Sequence, residues 1–194
     1  MFLIPQDFWQ VKKTAHKGLG VFAAKKLTKG TVIGDYLGTV IKTSDYDFTL
    51  DQNGLFLMYY SDAASIYPDL SVPGIHLINH SCLPNCWIYN LNGHTLFFAL
   101  RNIQVDEELT VSYLLSPKSK YCNPCRHICK CQSKNCTGSM HLSPEKFTIW
   151  QTFQDKHVKK TRKAGVVYGQ TLPPLPKYPK SIPLNPVYAR ICSG

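Results

Sequence analysis

Apolar positions along the chain fall in short runs separated by turns rich in Gly, Asn, Asp and Pro. Runs of that length between such breaks predict a mainly β architecture of short strands. Strands are expected over residues 8–13, 21–24, 31–33 and 36–41. Residues 43–73 are less regular: their one strong apolar run, 55–60, reads as either a short strand or one buried helical turn, and 61–73 reads as loop. Asn92-Gly93 is a hairpin-type turn, and residues 94–100 after it form the clearest strand. Residues 109–115 make a further strand, closed by Ser116-Pro117. One stretch carries a helical signal: Ser143 as N-cap, Pro144 at the first position, Glu145 in the first turn, and Phe147, Trp150 and Phe153 on one face, running to about Lys160. From Leu172 onward the prolines at 173, 174, 176, 179, 183 and 186 predict an extended tail without helix.

Candidate chemistry changes this picture at three places. The first is the turn Asn79-His80-Ser81-Cys82-Leu83-Pro84-Asn85-Cys86, set between the apolar runs 74–78 and 87–89. A polar loop so flanked is fixed inside a core, as a satisfied structural turn or as a ligand site. The second is Lys17-Gly18-Leu19-Gly20, where missing Cβ atoms let the backbone turn sharply and approach another group closely. It opens no predicted helix, so it is not a dinucleotide fingerprint. The third is cysteine: five of eight lie between Cys122 and Cys136. Their spacings suit a metal better than disulfides, and no secretory signal is read at the N-terminus, which favours a reducing compartment.

Charge is uneven. Residues 1–117 carry 8 basic and 10 acidic side chains, hence −2, whereas residues 118–194 carry 14 and 2, hence +12. The basic half is either a solvated surface or an arm for an acidic partner, nucleic acid being the commonest. The acidic surplus of the first half, with Asp45, Asp47 and Asp51 close together, suits a basic peptide. No apolar run approaches the length of a membrane span, so no membrane partner is expected.

In order, Lys17-Gly18-Leu19-Gly20, Asp35-Tyr36-Leu37-Gly38, Asn79 to Asn85, Glu107-Glu108-Leu109-Thr110-Val111-Ser112-Tyr113 and the tail Cys129-Lys130-Cys131 with Cys136 resemble a SET-domain protein lysine methyltransferase with a post-SET zinc segment. The resemblance covers about residues 8–142. It implies several small sheets with a pseudoknot, followed by a C-terminal helix and the extended Pro-rich tail. The implied division is a SET domain over 8–116, a post-SET-like cysteine segment over 117–142, and the helix and basic extension over 143–194.

By the same resemblance the cofactor is S-adenosylmethionine, held by Lys17, Gly18, Leu19, Gly20, Asn79, His80 and Tyr113. Tyr113 is the catalytic candidate, Tyr36 a second near the lysine, and Ser81 and Asn85 are structural. A structural Zn²⁺ takes Cys82, Cys129, Cys131 and Cys136; Cys122, Cys125, His127 and Cys86 stand as replacements or as parts of a second site. Two positions depart from the family pattern: Thr39 stands where Glu is frequent, and Val111-Ser112 precede Tyr113 where Phe or Tyr and Asp are frequent. A small Val111 leaves room for two or three methyl groups unless Trp87, Ile88 or Tyr89 fills it.

The expected partner is a protein with an exposed lysine, histone-like or otherwise basic, with nucleic acid or a nucleosome meeting the basic half. The expected location is intracellular, nuclear or cytoplasmic, or host-directed for a microbial or viral source. Two other classes compete. A catalytically idle module of this fold would bind basic peptides or chromatin without needing Tyr113. A zinc-stabilised nucleic-acid binder would use the +12 half without needing Asn79.

Overall fold

The computed structural model of the chain describes residues 6–47, 55–120, 122, 124–157 and 168–192. In chain order its strands are β1 (Trp9–Lys13), β2 (Leu19–Ala23), β3 (Val32–Asp35), β4 (Thr39–Lys42), β5 (Met58–Tyr59), β6 (Ala64–Tyr67), β7 (Asn79–His80), β8 (Cys86–Leu91), β9 (His94–Ala99) and β10 (Glu108–Val111). Two α-helices follow, α1 (Pro144–His157) and α2 (Val187–Cys192). The strands form three small sheets, ordered β1-β2-β10-β7, β3-β9-β8 and β4-β6-β5. The mainly β expectation of short strands in small sheets therefore holds.

Local sequence explains where strands stop. Asn92 and Gly93 both take positive φ, 50° and 84°, the tight-turn geometry that joins β8 to β9. The expected strand over 36–41 begins only at Thr39, because the backbone at Gly38 passes so close to β6 that a Cβ there would stand 2.2 Å from the Tyr67 carbonyl oxygen. The expected strand over 109–115 ends at Val111, and Leu114 takes φ 55°, which turns the chain out of the sheet. Of the 55–60 run, only Met58–Tyr59 pairs, as an edge strand, and the loop expected over 61–73 is corrected by β6, whose buried Ala64, Ser65 and Ile66 pair with β4 on one side and β5 on the other.

The middle sheet divides the interior. Side chains alternate across a strand, so Phe97 enters one core with Val21, Ile33, Tyr36, Leu109 and Val111, while Phe98 enters another with Trp87, Trp150, Tyr188 and Ile191. Helix α1 starts as expected, with the Lys146 N–H donated to Ser143 Oγ at 3.3 Å, and packs Trp150 at 5.9 Å from Trp87, edge to face. Its expected end near Lys160, and the basic run 159–163, lie outside the described residues.

The Pro-rich tail is extended where prolines are dense. Thr171 bridges to Thr39 and Ser181 to Thr31, so residues 169–182 cover the open edges of β4 and β3. The expectation of no helix after Leu172 is corrected by α2. Asn185 Oδ1 accepts the Val187 N–H at 3.0 Å, and Pro186 costs nothing at a helix entrance, where its missing N–H has no partner to lose.

Candidate active site and metal centres

The parallel pairing of β7 with β10 assembles the site. Asn79 lies opposite Thr110 and His80 opposite Val111, and the Ser81 N–H is donated to the Val111 carbonyl at 2.9 Å. Two residues that are 33 apart in the chain thereby meet. The Tyr113 N–H is donated to His80 Nδ1 at 3.1 Å, and the two rings stand edge to face at 5.4 Å. The Tyr113 hydroxyl is donated to the Ile78 carbonyl at 3.0 Å. Burial pushes this phenol up to about 12, so it is neutral at physiological pH.

His80 is a buried, neutral imidazole. Burial, reinforced by the Lys17 ammonium, depresses it to about 4. Its Nδ1 accepts from Tyr113, so the ring proton sits on Nε2, 3.6 Å from Cys82 Sγ. With both nitrogens engaged, His80 offers no free base.

Loop 14–18 and β2 border this centre. The Asn79 amide is donated to the Leu19 carbonyl and to Glu108 Oε1, each at 3.0 Å, and the Lys17 ammonium meets Glu108 Oε2 at 2.8 Å. A Cβ on Gly20 would come within 2.7 Å of Thr14 Cγ2 and 2.8 Å of Asn79 Nδ2, so only glycine lets β2 pass here. Gly18, at φ 76°, faces open space.

Ser81 and Asn85 are tied into the loop itself. Ser81 Oγ accepts the Leu83 N–H at 3.1 Å. Asn85 Nδ2 is donated to Glu107 Oε1 at 2.9 Å and to the Glu108 carbonyl at 2.8 Å, while its Oδ1 accepts the Thr110 N–H at 2.9 Å. Tyr36 is a buried core residue whose hydroxyl is donated to the Phe56 carbonyl at 2.6 Å. It also lines a cavity of about 270 Å³ together with Trp9, Ile75, His76 and Tyr178. Trp87 belongs to the second core and Val111 to the first, whereas Ile88 touches both.

Cys82, Cys129, Cys131 and Cys136 converge, with their sulfurs all within 4.8 Å of one another. Cys82 Sγ lies 3.6 Å from Cys129 Sγ. Backbone N–H groups point at three of these sulfurs: Cys82 to Cys131 at 3.5 Å, Cys131 to Cys129 at 3.4 Å and Gly138 to Cys136 at 3.4 Å. Four converging sulfurs, with backbone donors that would stabilise thiolate charge, fit a closed structural zinc site. Cys86 takes no part. It is fully buried in the first core, its thiol donated to Asn85 Oδ1 at 3.4 Å and pushed up by burial. The sequence reading missed His141, which stands beside Cys122, Cys125 and His127. A Cys-x₂-Cys pair followed by two histidines was the available signal.

The chain is similar to known proteins over part of its length. The family model described as the SET domain matches residues 18–114. The histone-lysine N-methyltransferase Su(var)3-9 of Drosophila melanogaster is 34% identical over 152 residues, covering 64% of this chain and 23% of its own. A histone-lysine N-methyltransferase of Schizosaccharomyces pombe, H3 lysine-9 specific, is 32% identical over 160 residues, covering 66% and 32%. One of Mycosarcoma maydis, H3 lysine-36 specific, is 31% identical over 140 residues, covering 67% and 14%. The chain therefore spans less than a third of the length of each of these relatives. The match of the family model to residues 18–114, half of the sequence and the stretch that holds Gly20, Asn79, His80 and Tyr113, shows that the chain belongs to the SET-domain family.

Proposed function

We propose that the chain transfers methyl groups from S-adenosylmethionine to the side-chain amine of lysine in a protein substrate. The observation that carries this reading is the junction of three distant segments at β7: Leu19 on Asn79, and Tyr113 on His80. Lys17, Gly18, Leu19, Gly20, Asn79, His80 and Tyr113 are the proposed cofactor-binding residues. Their chemistry fits the group: Lys17, Glu108 and the Asn79 amide present both charge signs and an amide, complementary to the zwitterionic methionine end of the cofactor. When bound, the cofactor supplies an activated methyl on a sulfonium.

In the proposed step a neutral lysine amine would take the methyl from the bound sulfonium, the new N–C bond replacing the C–S bond and the positive charge passing to the methylated ammonium. Tyr113 is the proposed catalytic residue. Its proton is already donated to the Ile78 carbonyl, so the phenol oxygen keeps lone pairs that can accept an N–H and orient the amine. The lysine's ammonium proton goes to solvent before attack, because the nearby imidazole is committed on both nitrogens. Tyr36 is proposed as a second contact near the lysine, through the cavity it lines. The small Val111 side chain in the first core, with Trp87 turned into the other core, favours di- or trimethylation, whereas Ile88 packs against both cores and is the residue that could limit it.

The proposed substrate is a histone or another Lys-rich protein. Exposed Asp45 and Asp47 suit a basic peptide, and the +12 half suits nucleosomal DNA. An intracellular site of action, nuclear or cytoplasmic, belongs to the same proposal; no helix among the described residues is long and apolar enough to cross a membrane.

The deciding experiment is transfer of labelled methyl from S-adenosylmethionine to histones, nucleosomes and a Lys-rich peptide library, with Tyr113→Phe alongside. Transfer that falls by about a hundredfold or more in the variant, at unchanged cofactor affinity by calorimetry, is expected on the scale of a lost transition-state contact. Cofactor affinity absent from the wild-type chain would sink the reading and favour an idle peptide-binding module.

A further inference from the structure

Outside the four-cysteine centre, the cysteine segment holds a second cluster. Cys122, Cys125, His127 and His141 bring their ligand atoms within 4.8 Å of one another. We infer that these two cysteines and two histidines form a second structural zinc site, on the chain that leaves Tyr113.

The six edges of the cluster carry the assignment. Cys122 Sγ lies 3.3 Å from Cys125 Sγ, 3.4 Å from His127 Nδ1 and 3.4 Å from His141 Nε2. Cys125 Sγ lies 3.9 Å from His127 Nδ1 and 3.5 Å from His141 Nε2, and the two nitrogens are 3.1 Å apart. A tetrahedral ion with bonds of about 2.3 Å to sulfur and about 2.0 Å to nitrogen requires edges of about 3.8, 3.5 and 3.3 Å for S–S, S–N and N–N. Every observed edge agrees to within about 0.5 Å of that figure.

Hydrogen bonding does not account for the cluster. His141 Nδ1 is 2.6 Å from the Ser116 carbonyl, so it carries the ring proton and leaves Nε2 as a bare lone pair aimed into the cluster. Six contacts join these four atoms, with at most two thiol protons and one imidazole proton among them, so at least three contacts have no proton between them. A central cation satisfies all four at once. The four protein ligands leave no open position, so the site is structural and not catalytic.

The fold has a use for such a site. In the segment 116–142 Cys129 is the one buried residue among those described, and Ile128 is 59% exposed. Apolar burial therefore cannot hold it. Its backbone makes a small two-armed ladder, with Cys129 N–H to the Gly138 carbonyl at 3.1 Å and Met140 N–H to the His127 carbonyl at 2.9 Å. The four-cysteine centre pins the outer part of that ladder to Cys82. The mixed cysteine–histidine centre pins its base to the chain at Leu115 and Ser116, where Leu115 bridges to His141. Tyr113 thus lies between two metal-anchored points: Cys82, reached through His80, and Ser116. The metal assignment stands whether or not the chain is a methyltransferase; only the positioning of Tyr113 rests on that reading.

The test is metal stoichiometry on the full chain, purified under reducing conditions from zinc-supplemented culture. Two zinc ions per chain are expected by elemental analysis. His141→Ala and Cys122→Ser should each lower the count to one, Cys129→Ser should also leave one, and His141→Cys should restore two. Co²⁺ reconstitution assigns the ions. The His141→Ala protein should keep only a tetrathiolate spectrum, and Cys129→Ser only that of a dithiolate bis-imidazole site. If a variant does not fold, titrating the wild-type chain with Co²⁺ decides, because the two spectra must appear in sequence or together. One zinc per chain, with a purely tetrathiolate cobalt spectrum, would overturn the inference, as would a Cys122–Cys125 disulfide found by mass in the reduced-purified protein.

Discussion

At the residue scale the site turns on two side chains held neutral, Tyr113 and His80. Tyr113 is neutral, with burial pushing its phenol up to about 12, and in the proposed transfer the target lysine must be neutral to attack. A free lysine titrates near 10.4, so the transfer rate should climb about tenfold per pH unit from about 7 toward 10. No falling limb should come from Tyr113 in that range, since a raised pKa keeps the phenol protonated throughout. A break near pH 9 in a single-turnover profile, removed in Tyr113→Phe, would refute this assignment. Gly20 sets the other limit. A methyl group there must displace Thr14 and the Asn79 amide, so Gly20→Ala should weaken cofactor binding by about 1–3 kcal/mol, read by calorimetry. Unchanged affinity would mean that the cofactor does not use this approach. These residues were legible in the sequence because each needs a particular residue type at a fixed spacing. His141 was harder to read: two histidines after a Cys-x₂-Cys pair are a signal, but His141 stands five residues beyond the last cysteine of the segment, and only the folded ladder brings it back to Cys122.

At the element scale, β7 is two residues long and cannot hold its place by its own hydrogen bonds. Asn85 does much of that work by satisfying the Thr110 N–H and the Glu108 carbonyl at the same time. It is 3% exposed, so water does not replace those bonds easily. Asn85→Ala should therefore cost about 2–4 kcal/mol, one to two unsatisfied buried groups, in urea unfolding of the zinc-loaded chain. The same variant should lose transfer activity at temperatures where the wild type is intact, because β7 also carries Asn79 and His80. A loss below about 0.5 kcal/mol would show that the β7–β10 pairing needs no side-chain clip. Element type was readable where the pattern was long, as the all-buried β9 and the capped start of α1 show, and not at β6, four residues in a stretch that reads as loop and becomes a strand only by pairing with β4 and β5. Ends were not readable, because they depend on close approaches such as Gly38 against Tyr67 and on the positive φ of Leu114. The missed helix α2 is a different case. Asn185-Pro186 carries the same capping signal as Ser143-Pro144, and the density of prolines before it masked a local rule that holds.

At the scale of the whole molecule, the C-terminal tail is part of the structural frame. It bonds to Gly30, Val32, Gly38 and Val40, and it supplies Leu175, Ile182, Tyr188 and Ile191 to the second core. Its tether to the interior is polar. The Tyr178 hydroxyl and His94 Nδ1 each stand 2.7 Å from Asp35 Oδ2, on a carboxylate whose side chain is 3% exposed. Tyr178→Phe removes one of two donors to that buried oxygen and should lower unfolding stability by about 1–3 kcal/mol with an unchanged denaturant slope. Deleting residues 169–194 is a different perturbation. It strips the edges of β3 and β4 and bares Trp87 and Phe98, so the expected outcome is loss of soluble protein, not a weakened enzyme. The two variants separate tethering from covering. A truncated chain that stayed monomeric by light scattering and kept its thermal midpoint would show the tail to be an accessory. Insolubility of the deletion beside a folded Tyr178→Phe would fix its role as the outer wall of the second core.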